Sequence, residues 1–291
     1  MKKLLSALLG IGLLQTSFPA HAETKTYTLP PASKWAVDWG QDSCTLIRDF
    51  GTKEHRFLLG MRSYAPGYRF EMTLAGKEAT PLRGSSALTI AFGDGTPVPI
   101  RRKQIGTSDL YGPAVIFSAR VADWDAGDSG AGDISYKPGP DPDMEKRINR
   151  ITVESPSTKL VLQTGPMSAA MDAVRQCTDD LARQLGLDPS SLQGIARPVS
   201  PINQIAWVLD IQSLFPQELI AQRKDARVEL RVVVDAKGTP ARCDAFPSFG
   251  NVDVKDRACS IIMHLAKFKP ALDNAGNPTA AIYSNTVLYK N

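Results

Sequence analysis

Nowhere in these 291 residues does an uninterrupted apolar run approach the roughly 18 positions that a bilayer-spanning helix requires. Cysteine pairs of the CxxC kind are also absent, and histidine is scarce. Beyond residue 22 only His55 and His264 remain, neither in ligand spacing with a cysteine, so no zinc site is expected. Charge of one sign is missing as well. The formal net charge is +4, and losing Lys2 and Lys3 would leave +2, too little for a nucleic-acid surface. The short basic clusters Arg101-Arg102-Lys103 and Lys146-Arg147 read as solvated surface, and Trp35, Trp39, Trp124 and Trp207 follow no interval that would suggest a carbohydrate-stacking row.

What is present begins with an export signal. Met1-Lys2-Lys3 precedes an apolar segment from Leu4 to Leu14, and Pro19-Ala20-His21-Ala22 offers small residues where a signal peptidase cuts. Cleavage after Ala22 is expected, with no lipobox cysteine nearby, and the protein is expected to work outside the cytoplasm without stable membrane insertion. An uncleaved anchor is the alternative. In that oxidising compartment Cys44, Cys177, Cys243 and Cys259 should form disulfides. Three connectivities are open, and pairing within each half, Cys44 with Cys177 and Cys243 with Cys259, is the economical one.

From Trp35 to Thr164 the chain reads as short strands: 44–50, 56–61, 68–74, 87–92, 114–121 and 160–163. In Tyr68-Arg69-Phe70-Glu71-Met72-Thr73-Leu74 every second residue is apolar, as a half-buried antiparallel strand requires. Ala170, Val174, Cys177, Leu181 and Leu185 then recur at helical spacing, and Gly186 offers a C-cap. The expected fold class is α+β. It comprises a β-rich domain over 23–187 closed by this amphipathic helix, a linker over 188–211 rich in Pro, Ser and Gly, and a small α+β domain over 212–291.

In that last region Phe215-Pro216 precedes a short helix ending near Arg223, and Val228, Leu230, Val232 and Val234 alternate along a strand. Asp235-Ala236-Lys237-Gly238 turns it back from Ala241 to Phe246. A helix carrying Val254, Ala258, Ile261, Ile262 and Leu265 follows, with Asn251 or Asp253 as its N-cap, and a last strand runs from about Ala280 to Tyr289. With Gly238, Phe249-Gly250, Val252-Asp253, Phe268, Pro270-Ala271 and Gly276-Asn277-Pro278, this series resembles the TonB C-terminal domain family over about residues 212–290. Ala226, where a glycine often stands, departs from it. The resemblance implies helices packed on an antiparallel sheet, a Cys243–Cys259 link as in many exported members, and contact with an envelope protein or peptide. Such contact would add a strand along an exposed edge, the candidate residues being Ala280, Ile282, Ser284, Thr286 and Leu288. An ordinary edge shielded by a loop would leave the same sequence.

No catalytic residue and no cofactor is expected. Gly127-Asp128-Ser129-Gly130 copies the start of a serine-protease nucleophile motif, but His55 lies in a charged, turn-like stretch. A serine hydrolase using Ser129 is therefore a remote alternative. The aspartates 123, 125, 128, 133, 141 and 143 suggest calcium, yet their spacing does not follow an EF-hand loop.

Overall fold

The computed structural model describes residues 24–121, 141–250 and 255–289. The expected export signal 1–22, Ser129 with the aspartates 123–133, and the expected cap residues Asn251 and Asp253 lie outside the described residues.

The chain opens with β1 (Lys25–Leu29), β2 (Ala36–Trp39), β3 (Cys44–Gly51), β4 (Arg56–Ser63) and β5 (Arg69–Ala75). A short helix α1 (Thr80–Gly84) leads to β6 (Thr89–Phe92), β7 (Val98–Pro99), β8 (Lys103–Ser108) and β9 (Gly112–Arg120). Then come α2 (Pro142–Arg147), β10 (Ile151–Glu154), β11 (Thr158–Leu162) and α3 (Ser168–Gln184). Short elements follow as α4 (Pro189–Gln193), β12 (Ile195–Arg197) and β13 (Ser200–Pro201), and after them the helices α5 (Gln204–Gln212) and α6 (Gln217–Ala221). The C-terminal part holds β14 (Ala226–Val234), β15 (Pro240–Phe249), α7 (Lys255–Leu265), β16 (Phe268–Lys269), β17 (Ala271–Asp273), β18 (Pro278–Thr279) and β19 (Ala281–Tyr289).

Two sheets and α3 enclose the first core. One is six-stranded in the order β2-β3-β4-β5-β9-β8, the other five-stranded in the order β1-β11-β10-β6-β7. Alternation decides the facing: Phe70, Met72 and Leu74 of β5 are buried beside Val115, Phe117 and Met61, with α3 contributing Met171, Val174 and Leu181. Of the strands missed in this part of the sequence, β1, β2, β7 and β8 are sheet edges, whose partial exposure permits polar residues and so hides the pattern, while β10, inside its sheet, is only four residues long. Cys44 on β3 is bonded to Cys177 on α3 with 6.0 Å between Cα atoms, as the economical pairing requires. The helix ends where expected. Gly186 has φ +76, its N–H donates to the Arg183 carbonyl and that of Leu187 to Ala182, which is a Schellman closure.

The second core lies under the antiparallel sheet β15-β14-β19. Val228, Leu230 and Val232 of the central strand meet Trp207 and Ile211 of α5 and Ala258 and Ile262 of α7, so the α+β class holds here too. Cys243 on β15 bonds Cys259 on α7. Gly238 closes the β14–β15 turn with φ +83, and a Cβ there would lie 2.1 Å from the Phe268 carbonyl oxygen, so only glycine fits. The stretch read as a linker is folded: Leu192, Ile195, Val199 and Trp207 all sit in the second core. Its prolines and glycine punctuate very short elements, which leaves no periodic run long enough to read.

Candidate protein-contact site

β14 alternates apolar with charged residues, and both sets are buried. Its even-numbered side chains enter the second core. Its odd-numbered ones, Arg227, Glu229 and Arg231, point the other way, onto the outer face of the six-stranded sheet. That face is supplied by the residues of β5 and β9 that alternate with the first core, among them Arg69, Glu71 and Ser118.

Arg227, 1% exposed, is the centre of this contact. Its Nε lies 2.7 Å from Glu71 Oε2, an ion pair without hydrogen-bond alignment. One terminal nitrogen donates to Glu229 Oε1 at 2.5 Å and to Ser118 Oγ at 2.6 Å, the other to Gln104 Oε1 at 3.3 Å. Arg69 approaches Glu229 at 3.8 Å and Arg62 approaches Glu71 at 3.9 Å from the rim. Further along, Arg231 pairs with Asp244 at 3.1 Å and donates to the carbonyls of Asp42 and Tyr64, while Tyr64 stacks on Phe246 with centroids 5.3 Å apart. A charge cluster this dry is tolerable because its charges are paired, even though Arg227 Nε, Glu71 Oε2 and Gln104 Nε2 make no hydrogen bond.

Burial pushes the Glu71 carboxyl above its ordinary 4.5, outweighing the opposing pull of Arg227. The folded protein therefore binds that proton more tightly than the unfolded chain. Glu71 thus contributes stability that is complete below pH 4.5 and is lost as pH rises through the higher folded value. Denaturant titrations of wild type and Glu71→Gln between pH about 4 and about 7 should show wild type losing stability relative to the variant with rising pH. Parallel profiles would remove this account of the cluster.

The last strand is one of the two edges of its sheet, β15 being the other. β19 pairs only with β14 among the described residues. Antiparallel pairs alternate between residues that exchange backbone hydrogen bonds and residues whose N–H and C=O point away. The Thr286 N–H donates to its neighbour's Asn285 Oδ1 at 2.8 Å, and the Leu288 carbonyl accepts from Gln212 Nε2 at 3.3 Å. Both groups therefore face outward, and the same parity turns the backbone of Ser284 and Ile282 to the open edge. Ala280 lies just before the strand. The side chains of Ile282, Ser284, Thr286 and Leu288 stand opposite Val233, Arg231, Glu229 and Arg227, on the face that meets the six-stranded sheet. Thr286 is consequently drawn into the charge cluster, where its hydroxyl donates to Glu229 at 2.9 Å and accepts from Arg69.

Helix α5 runs beside this edge in the same direction. Gln204 donates to the Tyr283 hydroxyl at 3.3 Å, Trp207 meets the Tyr283 ring edge-on, and Gln212 reaches Leu288. Neither α5 nor the partners of Thr286 was read in the sequence. Of the other candidates, His55 is exposed in the β3–β4 turn, where its backbone N–H donates to Thr52 Oγ1. Asp141 caps α2 through the Met144 N–H. No group of three or more His, Cys, Asp or Glu among the described residues is placed to hold a metal, and no described helix is long and apolar enough to cross a membrane.

Residues 211–290 match the family model described as the Gram-negative bacterial TonB protein C-terminal. The span takes in the whole β14–β19 unit and begins at the last turn of α5. No curated protein matches the chain.

Proposed function

We propose that this is an exported periplasmic binding or scaffolding protein without catalytic activity, which holds an envelope protein or peptide by adding a strand to the β19 edge. The observation that carries it is the open edge itself, in the part of the chain that matches the TonB C-terminal family. Strand addition needs backbone groups turned outward along an edge; Ile282, Ser284, Thr286 and Leu288 turn theirs that way, and the side chains of Asn285 and Gln212 that now hold the Thr286 N–H and the Leu288 carbonyl would be displaced by an added strand. On this reading residues 1–22 are removed on export, 23–187 form the N-terminal domain and 212–291 the contact domain. Freed of an anchor, such a protein binds a partner but does not transmit force from the inner membrane. A membrane-held transducer is the second reading, favoured only if Leu4 to Leu14 stays attached. The mass of the native N-terminus separates the two, since Glu23 as first residue excludes the anchor.

Ser284→Pro removes an outward N–H without taking a donor from the β14 ladder. Envelope extract passed over immobilised protein should leave a partner on wild type and about tenfold less on this variant, the effect of roughly 1.4 kcal/mol. Equal retention by both proteins would end the strand-addition reading.

A further inference from the structure

We infer that the groove along β19 has two walls from different parts of the chain, and that it selects an extended segment with apolar side chains on one face and acidic side chains on the other. This rests on the strand-addition reading and goes beyond the matched family span, because both walls are built largely outside residues 211–290.

The apolar wall is α5. Trp207 and Ile211 define its buried side, and Gln204 and Gln212 define the row that touches β19. At 100° per residue, Val208 falls in that same row, while Ile205 and Leu209 fall in the next row outward. Asn203, which bonds Leu265 and Lys267 at the end of α7, lies on the opposite side. The outer row therefore overhangs the open edge, with Ile205 78% and Leu209 63% exposed. The Gln212 side chain, reaching an outward carbonyl of β19, already spans the space where an added strand would lie about 4.8 Å away.

The polar wall is the outer face of the six-stranded sheet. Arg69 shares the parity of Glu71 and so points at the C-terminal sheet, where it bonds Thr286 and remains 28% exposed. Its nearest carboxylate, Glu229, is committed to Arg227 at 2.5 Å and stands 3.8 Å from Arg69, so the Arg69 charge is only partly offset. Arg120 stands directly opposite Arg69 on β9 and has an interaction of its own. Like charges in register repel. A strand laid against β19 would place alternate side chains beside Thr286 and Arg69, where a carboxylate is favoured, and the intervening ones under Ile205 and Leu209.

The test uses the full mature protein and three short synthetic peptides, alternating Val-Glu, Val-Lys and Val-Ser, with binding followed by fluorescence anisotropy. Wild type should bind Val-Glu at least about tenfold more tightly than Val-Lys, with the gap narrowing at high salt. Arg69→Gln should shrink the preference and Arg69→Glu reverse it, while Leu209→Ser should weaken all three peptides alike. Equal binding of the three by wild type would overturn the two-walled groove and leave strand addition standing, provided Ser284→Pro still weakens it about tenfold. Binding of none would remove both readings.

Discussion

Replacing Arg227 with methionine should lower the unfolding free energy by about 3–5 kcal/mol, more than any substitution on the protein's surface. The loss does not come from the attraction of one ion pair. Arg227 offers its guanidinium to two carboxylates, Glu71 at 2.7 Å and Glu229 at 2.5 Å, and also donates to Ser118 and Gln104. Methionine fills much of the same volume but leaves both acids buried without their cation, and each must then protonate or draw in water. The triple variant Glu71→Leu, Arg227→Met, Glu229→Leu should recover most of the loss, because a buried charge set replaced as a whole by apolar residues is often neutral or stabilising. Urea unfolding of the single and triple variants decides it. A single variant within about 0.5 kcal/mol of wild type would mean that the cluster is solvated in solution.

The triple variant also asks what the charges are for. An apolar face on β14 would pack against the six-stranded sheet in many registers, whereas Arg227 reaches Glu71, Gln104 and Ser118 together in only one. The cluster thus fixes the position of Arg69 relative to β19. If the triple variant is stable yet loses discrimination among charged peptides, positional definition is the role of the charges.

Much of this architecture was legible in the residues and its assembly was not. Phe70, Met72 and Leu74 announce the inward face of β5, and Val228 to Val234 that of β14, because a twofold period survives in any half-buried strand. The pattern records only that Arg69, Glu71, Arg227 and Glu229 are polar. It cannot tell whether the polar face meets water or a second polar face, since the two carry the same letters. A cue lay in β14, where charged residues interrupt a strand of otherwise Val and Leu in the centre of a sheet. The last strand could be read because Ala280 to Tyr289 is long. Helix α5 escaped: Ile205 and Leu209 put apolar residues on its exposed side, which blurs the amphipathic period, and Trp207 gave no sign of which side was buried.

Removing the Cys44–Cys177 bridge by double serine substitution should cost about 5 kcal/mol, and removing Cys243–Cys259 about 3 kcal/mol, in the chain-entropy account. The difference follows from the loops closed, 133 residues apart in the first case and 16 in the second, because the longer loop restricts the unfolded chain more. Denaturant unfolding of the two variants should rank them in that order, and equal losses would show that the unfolded chain does not set their worth. The first bridge also has consequences beyond its own core. It holds α3 on β3, and the same helix carries Leu181 into the first core and Ala182 into the second. Loosening α3 therefore frees both cores at once, so amides of α5 should exchange faster in the Cys44–Cys177 variant than in the Cys243–Cys259 variant, although the second bridge holds α7, whose Ala258 and Ile262 share the second core with α5. The reverse order would confine the effect of the first bridge to the N-terminal core. If the order holds, reduction of the distant bridge disturbs the wall that overhangs β19, and partner binding falls before the protein unfolds.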